Sequence, residues 1–162
     1  NAVIVSLVPL EEMTGEEWDR IQAVNVKGIL FGMQAVVPGM KARGGGRIVN
    51  VCSQTSKMAG AMNYAHYTAS KAAAWNLTMS AARRYASIPI NVNGVAPGSV
   101  VETEFSKDFN LPMDRQTVSQ GIPIGRRARP EEIAPTVVFL ASDGAAYITG
   151  ELIDVNGGAL MD

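Results

Sequence analysis

Apolar residues recur at helical intervals between Glu11 and Met40, where Trp18, Ile21, Val24, Ile29, Met33 and Val36 mark one stripe. Thr14 and Glu17 stand at capping-box spacing, which predicts the helix start there. Gly28 and Gly32 sit on the same helix and would let another backbone approach one face, while Pro38 and the run Gly44-Gly45-Gly46 predict its end. The pattern then changes. Arg47-Ile48-Val49-Asn50-Val51-Cys52 is short and β-branched, as expected of a buried parallel strand. A polar stretch from Ser53 to Asn63 leads to a second helix over Tyr64 to Ala86, rich in alanine and free of Pro and Gly. Ile90 to Val95 predicts another strand, closed by Pro97-Gly98. Residues 99 to 128 show weak periodicity and predict an irregular loop with short helices. Pro130-Glu131-Glu132 opens a helix to about Leu140, with Pro in the first turn and acids at the positive end of the helix dipole. Glu151 to Val155 predicts a last strand, ended by Gly157-Gly158.

This alternation of helix and strand predicts an α/β fold, a doubly wound parallel sheet with right-handed crossovers. Only about three strands are present, so one edge of the sheet should be unprotected. The 162 residues are enough for one domain with a core, and the 47% hydrophobic and 18% charged residues argue against disorder. A net charge of −1 offers no basic surface for nucleic acid. No apolar run approaches the roughly 18 residues needed to span a bilayer, and no signal segment opens the chain. The single cysteine, Cys52, excludes an internal disulfide and makes a cytoplasmic location the default expectation. The chain opens on Asn1 and runs directly into Ala2-Val3-Ile4-Val5. That opening reads either as a cut edge or as ordinary removal of an initiator methionine.

Tyr67 and Lys71 are one helical turn apart, so both side chains lie on one face. A phenol with an ordinary pKa of about 10 is a poor proton donor and acceptor at neutral pH, and a nearby ammonium lowers that value. The pair could therefore exchange a proton with a substrate oxygen. By itself the pair also fits a solvated helix face. Ser53 follows the predicted strand ending at Cys52, and α/β sheets place ligands at the carboxyl ends of their strands. In isolation Ser53 reads rather as a loop residue making a local turn. Asn25 falls on the apolar stripe of the first helix, where an unpartnered amide costs roughly 1–3 kcal/mol. Its presence there predicts a hydrogen-bond network, structural or functional.

Asn50-Val51-Cys52-Ser53 followed by Tyr67-x-x-x-Lys71 resembles the Ser-Tyr-Lys centre of the short-chain dehydrogenases/reductases. Asn25, in Val24-Asn25-Val26-Lys27-Gly28, resembles that family's fourth catalytic position. Asn93-Gly94-Val95-Ala96-Pro97-Gly98 is similar to its strand and loop beside the nicotinamide. Pro130-Glu131-Glu132-Ile133-Ala134, Phe139-Leu140-Ala141-Ser142-Asp143, Tyr147-Ile148-Thr149-Gly150 and Val155-Asn156-Gly157-Gly158 match its late helix and tail, and Asn1-Ala2 matches the end of its Asn-Asn-Ala-Gly segment. The resemblance covers essentially every residue. It implies a Rossmann-like fold of which residues 1–162 are the C-terminal catalytic part, and an oxidoreductase that moves a hydride between NAD or NADP and a secondary alcohol or ketone. Tyr67 would be the general acid in reduction and the base in oxidation. Lys71 would lower its pKa and bind the nicotinamide ribose, Ser53 would hold the substrate oxygen, and Asn25 would anchor a water relaying protons to Lys71. Pro97, Gly98, Val100 and Thr103 would border the nicotinamide, and Asn1 and Ala2 the adjoining ribose. The family also implies a homodimer or homotetramer packed through its long helices.

Departures accompany the match. Val3 stands where the family usually has Gly. The gap from Ser53 to Tyr67 is one residue longer than the commonest spacing, which leaves Gln54 or a shifted loop to alter how the hydroxyl is presented, and Thr103 comes one position late. The glycine-rich turn that cradles the pyrophosphate is not among these residues, nor is the position that separates NAD from NADP. This segment alone is therefore expected neither to bind cofactor well nor to turn over. No cluster of metal-ligating residues is visible, so no metal site is expected. His66 should point to a face away from Tyr67, Cys52 reads as a small buried strand residue, and Met58, Met62, Trp75 and Met79 read as core or interface. Tyr64 has Thr68 rather than a cation one turn on. Residues 99 to 125 are a candidate substrate lid, carrying Phe105, Phe109 and Met113. Two other functions stay open from the residues: a non-catalytic oligomerisation or binding module built on the same fold, and a lyase or epimerase using the same side chains.

Overall fold

The computed structural model describes residues 2–58, 63–101 and 119–161. Asn1, Met62, Thr103, Phe105, Phe109 and Met113 lie outside the described residues, and so does most of the candidate lid.

Helix α1 spans Gly15–Gln22 and runs through one π-helical stretch, Ala23–Lys27, into α2, Gly28–Ala42. The Thr14 hydroxyl accepts from the Glu17 backbone N–H at 3.2 Å, so half of the expected capping box forms. The other half does not, because the Glu17 carboxylate turns to Ser6 and Arg20 instead. Pro38 does not end the helix as its sequence context predicts. It sits inside α2 and is exposed, so the carbonyl it leaves unpaired can face water. The chain leaves only after Ala42, where Gly44 adopts a φ of +79°. A side chain added at Gly28 or Gly32 would meet open space, so no backbone among the described residues approaches there. The continuous helix Gly15–Ala42 is also long and apolar enough to cross a membrane by length and composition. The expectation from uninterrupted runs missed this, because isolated polar residues break the run without lowering the average enough.

Strand β1 is Gly46–Val51, α3 is Ala65–Tyr85, β2 is Ile90–Pro97, α4 is Pro130–Leu140 and β3 is Leu152–Val155. The three strands form one parallel sheet in the order β1-β2-β3. Alternation along β2 separates its two faces. Ile90 and Val92 pack with Met33 and Val37 of α2 and Ala81 and Ala82 of α3, while Val95 on the opposite face packs with Ile133 and Leu140 of α4. Helices on both faces of a parallel sheet are the doubly wound arrangement the alternation predicts. Between the two faces of polar β2 residues, Asn93 is 1% exposed and its amide donates to Ile148 O while accepting from Glu151 N, which pins the turn entering β3. Among the described residues no strand pairs with the outer edge of β1.

The three strands end together, and their carboxyl ends define the functional edge. Gly98 follows β2 there, and a Cβ on it would lie 2.8 Å from Asn156 Cα. Backbone cannot yield as a flexible side chain can. Gly98→Ala is therefore expected to destabilise the protein by about 1–3 kcal/mol, read as a lower urea midpoint at unchanged m-value; an unchanged midpoint would show that the two strand ends part freely.

Candidate active site

Ser53 lies two residues past β1 with an extended backbone and caps the short 3-10 turn Gln54–Ser56. Its Oγ accepts from the Thr55 backbone N–H at 3.2 Å and from Thr55 Oγ1 at 3.0 Å. Its own proton remains for the Tyr67 phenol, to which Ser53 is hydrogen-bonded. The longer gap between the two residues thus still brings the hydroxyls together. Tyr67 and Lys71 project from the first turns of α3 and are 7% and 5% exposed. Lys71 Nζ lies 5.8 Å from the Tyr67 ring centroid and donates to Val51 O, the carbonyl at the end of β1, at 2.9 Å. The Tyr64 ring meets Tyr67 edge-on at 6.1 Å between centroids.

The electrostatic expectation for this pair is reversed. Burial pushes the Tyr67 phenol up to about 12, with the Ser53 hydrogen bond pulling the other way and too weak to prevail. Burial also lowers the Lys71 ammonium, opposed by the Cys52 thiol beside it. The Lys71 ammonium donates to the Val51 carbonyl, and burial is the largest influence on both groups. Cys52 is itself raised to about 11 by burial, which leaves it an inert thiol.

Asn25 is 2% exposed in the π-helical stretch, and its side chain is fully engaged. Oδ1 accepts from Ile4 N at 3.0 Å, and Nδ2 donates to Ile4 O at 2.9 Å and to Ser70 Oγ at 3.0 Å. Both amide protons go to protein, so the side chain clamps Ile4 to Ser70. The extra residue of the π-turn is what aims the amide inward, in keeping with the placement of such turns near functional sites.

Pro97 ends β2, Gly98 N donates to Val155 O at 3.0 Å, and Val100 bridges to Ala128. These residues line the edge beside Ser53 and Tyr67 as far as the described residues extend; Ala2 is exposed at the start of the chain. His66 is fully buried and contacts Ser6 and Glu17. Met58 and Met79 are exposed, and Trp75 packs against the cluster of Cys52, Ala74, Ala96 and Leu152. Sequence reasoning missed Ser70 and Thr55. Ser70 stood inside the Tyr67-to-Lys71 motif on the buried face, which was the available signal; Thr55 had none. Among the described residues no group of His, Cys, Asp or Glu is placed to hold a metal ion.

A parallel sheet with helices on both faces, carrying a hydrogen-bonded serine and tyrosine and a buried lysine at its carboxyl edge, defines a Rossmann-like enzyme fold. A family model described as enoyl-(acyl carrier protein) reductase matches residues 1–159, and the chain belongs to the short-chain dehydrogenase/reductase family. It is 39% identical to a sorbitol dehydrogenase of Cereibacter sphaeroides over 99% of this chain and 66% of the relative. It is 44% identical to the 3-oxoacyl-(acyl-carrier-protein) reductase FabG of Vibrio cholerae over 99% of this chain and 65% of the relative. The structure superposes with a TM-score of 0.93 on a gluconate 5-dehydrogenase from Burkholderia cenocepacia in complex with NADP and tartrate, at 32% identity over 98% of this chain and 62% of that one. The chain thus spans about two thirds of the length of these relatives.

Proposed function

We propose that the protein carrying this chain is an oxidoreductase that transfers a hydride between NAD or NADP and a secondary alcohol or ketone. The observation that carries the reading is the hydrogen-bonded Ser53–Tyr67 pair at the carboxyl edge of the sheet, with Lys71 one turn away. The nicotinamide, when bound, supplies the hydride donor or acceptor. Three features of this chain fit that cofactor. Lys71 Nζ makes one hydrogen bond among the described residues and has two further N–H groups, the donor set a ribose diol takes. Gly98 lets the strand ends that frame the site close on each other, its missing Cβ leaving room for Asn156. Pro97 and Val100 offer apolar surface beside it, and the reading adds Ala2, with Asn1 and Thr103, as cofactor neighbours.

Tyr67 is the proton donor to the carbonyl oxygen in reduction. Its high pKa keeps the phenol protonated at neutral pH, the form that donation requires. Ser53 holds the same oxygen by its hydroxyl, already oriented by Thr55. Lys71 stabilises the phenolate left behind, a role that needs its ammonium and so falls as pH rises. The named relatives act on a sugar alcohol, a sugar acid and an acyl-carrier-bound ketone, and a secondary alcohol or ketone is the chemistry these share. The outward faces of α1 and α2 expose Trp18, Phe31 and Val36, which suits packing of a second copy into a dimer or tetramer.

The test is a panel of ketones and polyols with each reduced and oxidised cofactor, run on the full-length protein. Ketone reduction near pH 7 is expected to outpace oxidation of the matching alcohol, and oxidation to gain as pH rises. Absence of turnover with either cofactor across the panel would overturn the reading.

A further inference from the structure

We propose that His66 and Ser70 are positioning residues for Tyr67, tying its turn of α3 to the segment from Ile4 to Ser6. The proposal rests on the reading of Tyr67 as the proton donor. Neither residue belongs to the Ser53–Tyr67–Lys71 set, and both are fully buried. The first link runs through His66, the residue before Tyr67. Its Nε2 lies 2.8 Å from Ser6 Oγ, and Ser6 Oγ donates its single proton to Glu17 Oε1. Ser6 can then meet Nε2 only as an acceptor, so the imidazole hydrogen sits on Nε2. The opposite tautomer would set two lone pairs against each other and leave a buried N–H at Nδ1, which has no partner. The backbone joins in, as Gln22 Nε2 donates to His66 O at 3.0 Å.

The second link runs through Ser70. Its Oγ donates to Tyr67 O at 2.6 Å and accepts from Asn25 Nδ2, whose amide also holds Ile4 by both backbone groups. The two links start two residues apart, at Ile4 and Ser6, and end on His66 and Ser70, one turn apart on α3 and on either side of Tyr67. A single tether would let α3 rotate about it. Two tethers at different points fix both the rotation and the depth of the turn that carries the phenol. Ile4 lies two residues beyond Ala2, which the proposed function sets beside the cofactor, so the arrangement makes the phenol follow the cofactor side of the site. A reacting group must be held within about 0.5 Å and 10–20° of its productive geometry, so even a small release of the turn matters.

The experiment compares His66→Leu, His66→Gln and Ser70→Ala with the parent in the full-length protein, with Tyr67→Phe as the reference for lost proton donation. The readouts are kcat, KM and the pH profile of kcat for ketone reduction, together with the thermal midpoint. His66→Leu and Ser70→Ala are each expected to lower kcat by about tenfold, with KM changed by less than about twofold, and to displace the basic limb of the profile. His66→Gln places an amide N–H where Nε2–H was and should recover kcat to within about threefold of the parent. The proposal is overturned if kcat and the pH profile superimpose on the parent, if only the thermal midpoint moves, or if Gln serves no better than Leu. Should His66→Leu fail to fold, Ser70→Ala and His66→Gln still decide it. Failure of the underlying reading has a different signature, an active Tyr67→Phe variant.

Discussion

Tyr67→Phe lowers kcat for ketone reduction by about 10²–10⁴-fold in the full-length protein, the range a positioned acid contributes. The substitution removes one oxygen and leaves the ring, so the packing of α3 on the sheet and the edge contact with Tyr64 should persist. The Ser53 hydrogen bond is lost, and a hydroxyl beside a cleft can turn to water, so loss of that bond should cost no more than about 1.5 kcal/mol. Cofactor affinity should also hold, because Lys71 keeps its bond to Val51 O. Steady-state kinetics with either reduced cofactor, alongside a denaturation curve, separate the chemical loss from unfolding. A variant that retains turnover within about fivefold would place the proton donor elsewhere.

Asn25→Ala carries the largest expected effect on stability. The amide is buried and satisfies three groups at once: Ile4 N–H, Ile4 C=O and Ser70 Oγ. Alanine leaves all three without their partner, and water can reach only some of them, since Ser70 is fully buried while Ile4 is half-buried. At about 1–3 kcal/mol for each buried group left unmatched, a total loss of about 2–5 kcal/mol is expected. Urea denaturation should show the midpoint falling with m unchanged. Asn25→Asp keeps the acceptor for Ile4 N–H but sets a buried carboxylate oxygen against the Ile4 carbonyl oxygen, so it should be no more stable than Asn25→Ala. A loss below about 1 kcal/mol for Asn25→Ala would mean that the π-turn holds its shape by helix packing alone.

How much of this was legible in the sequence varies by element. The strands and helices were, within a residue or two, because each follows from a period written locally in apolar residues: β1 from its β-branched run, α3 from its alanine-rich stretch, α4 from Pro130-Glu131-Glu132. Pro38 was misread because a proline ends a helix only where the carbonyl behind it must stay dry, and that exposure is a property of the packed molecule. The spacing of Tyr67 and Lys71 showed that they share a helix face. It did not show that burial would raise the phenol rather than let the ammonium lower it, since desolvation depends on what covers the pair.

By itself, then, the sequence determined the order of helices and strands, the doubly wound class and the residues able to move a proton, all of which depend on local period and residue chemistry. Tertiary structure alone decided that Ser53 reaches Tyr67 across a lengthened loop, that Asn25 clamps Ile4 and Ser70, and that His66 finds Ser6. Those outcomes join residues from 14 to 60 positions apart. A hydrogen bond is satisfied by distance and direction in space, and no local pattern of side chains encodes either across such a separation.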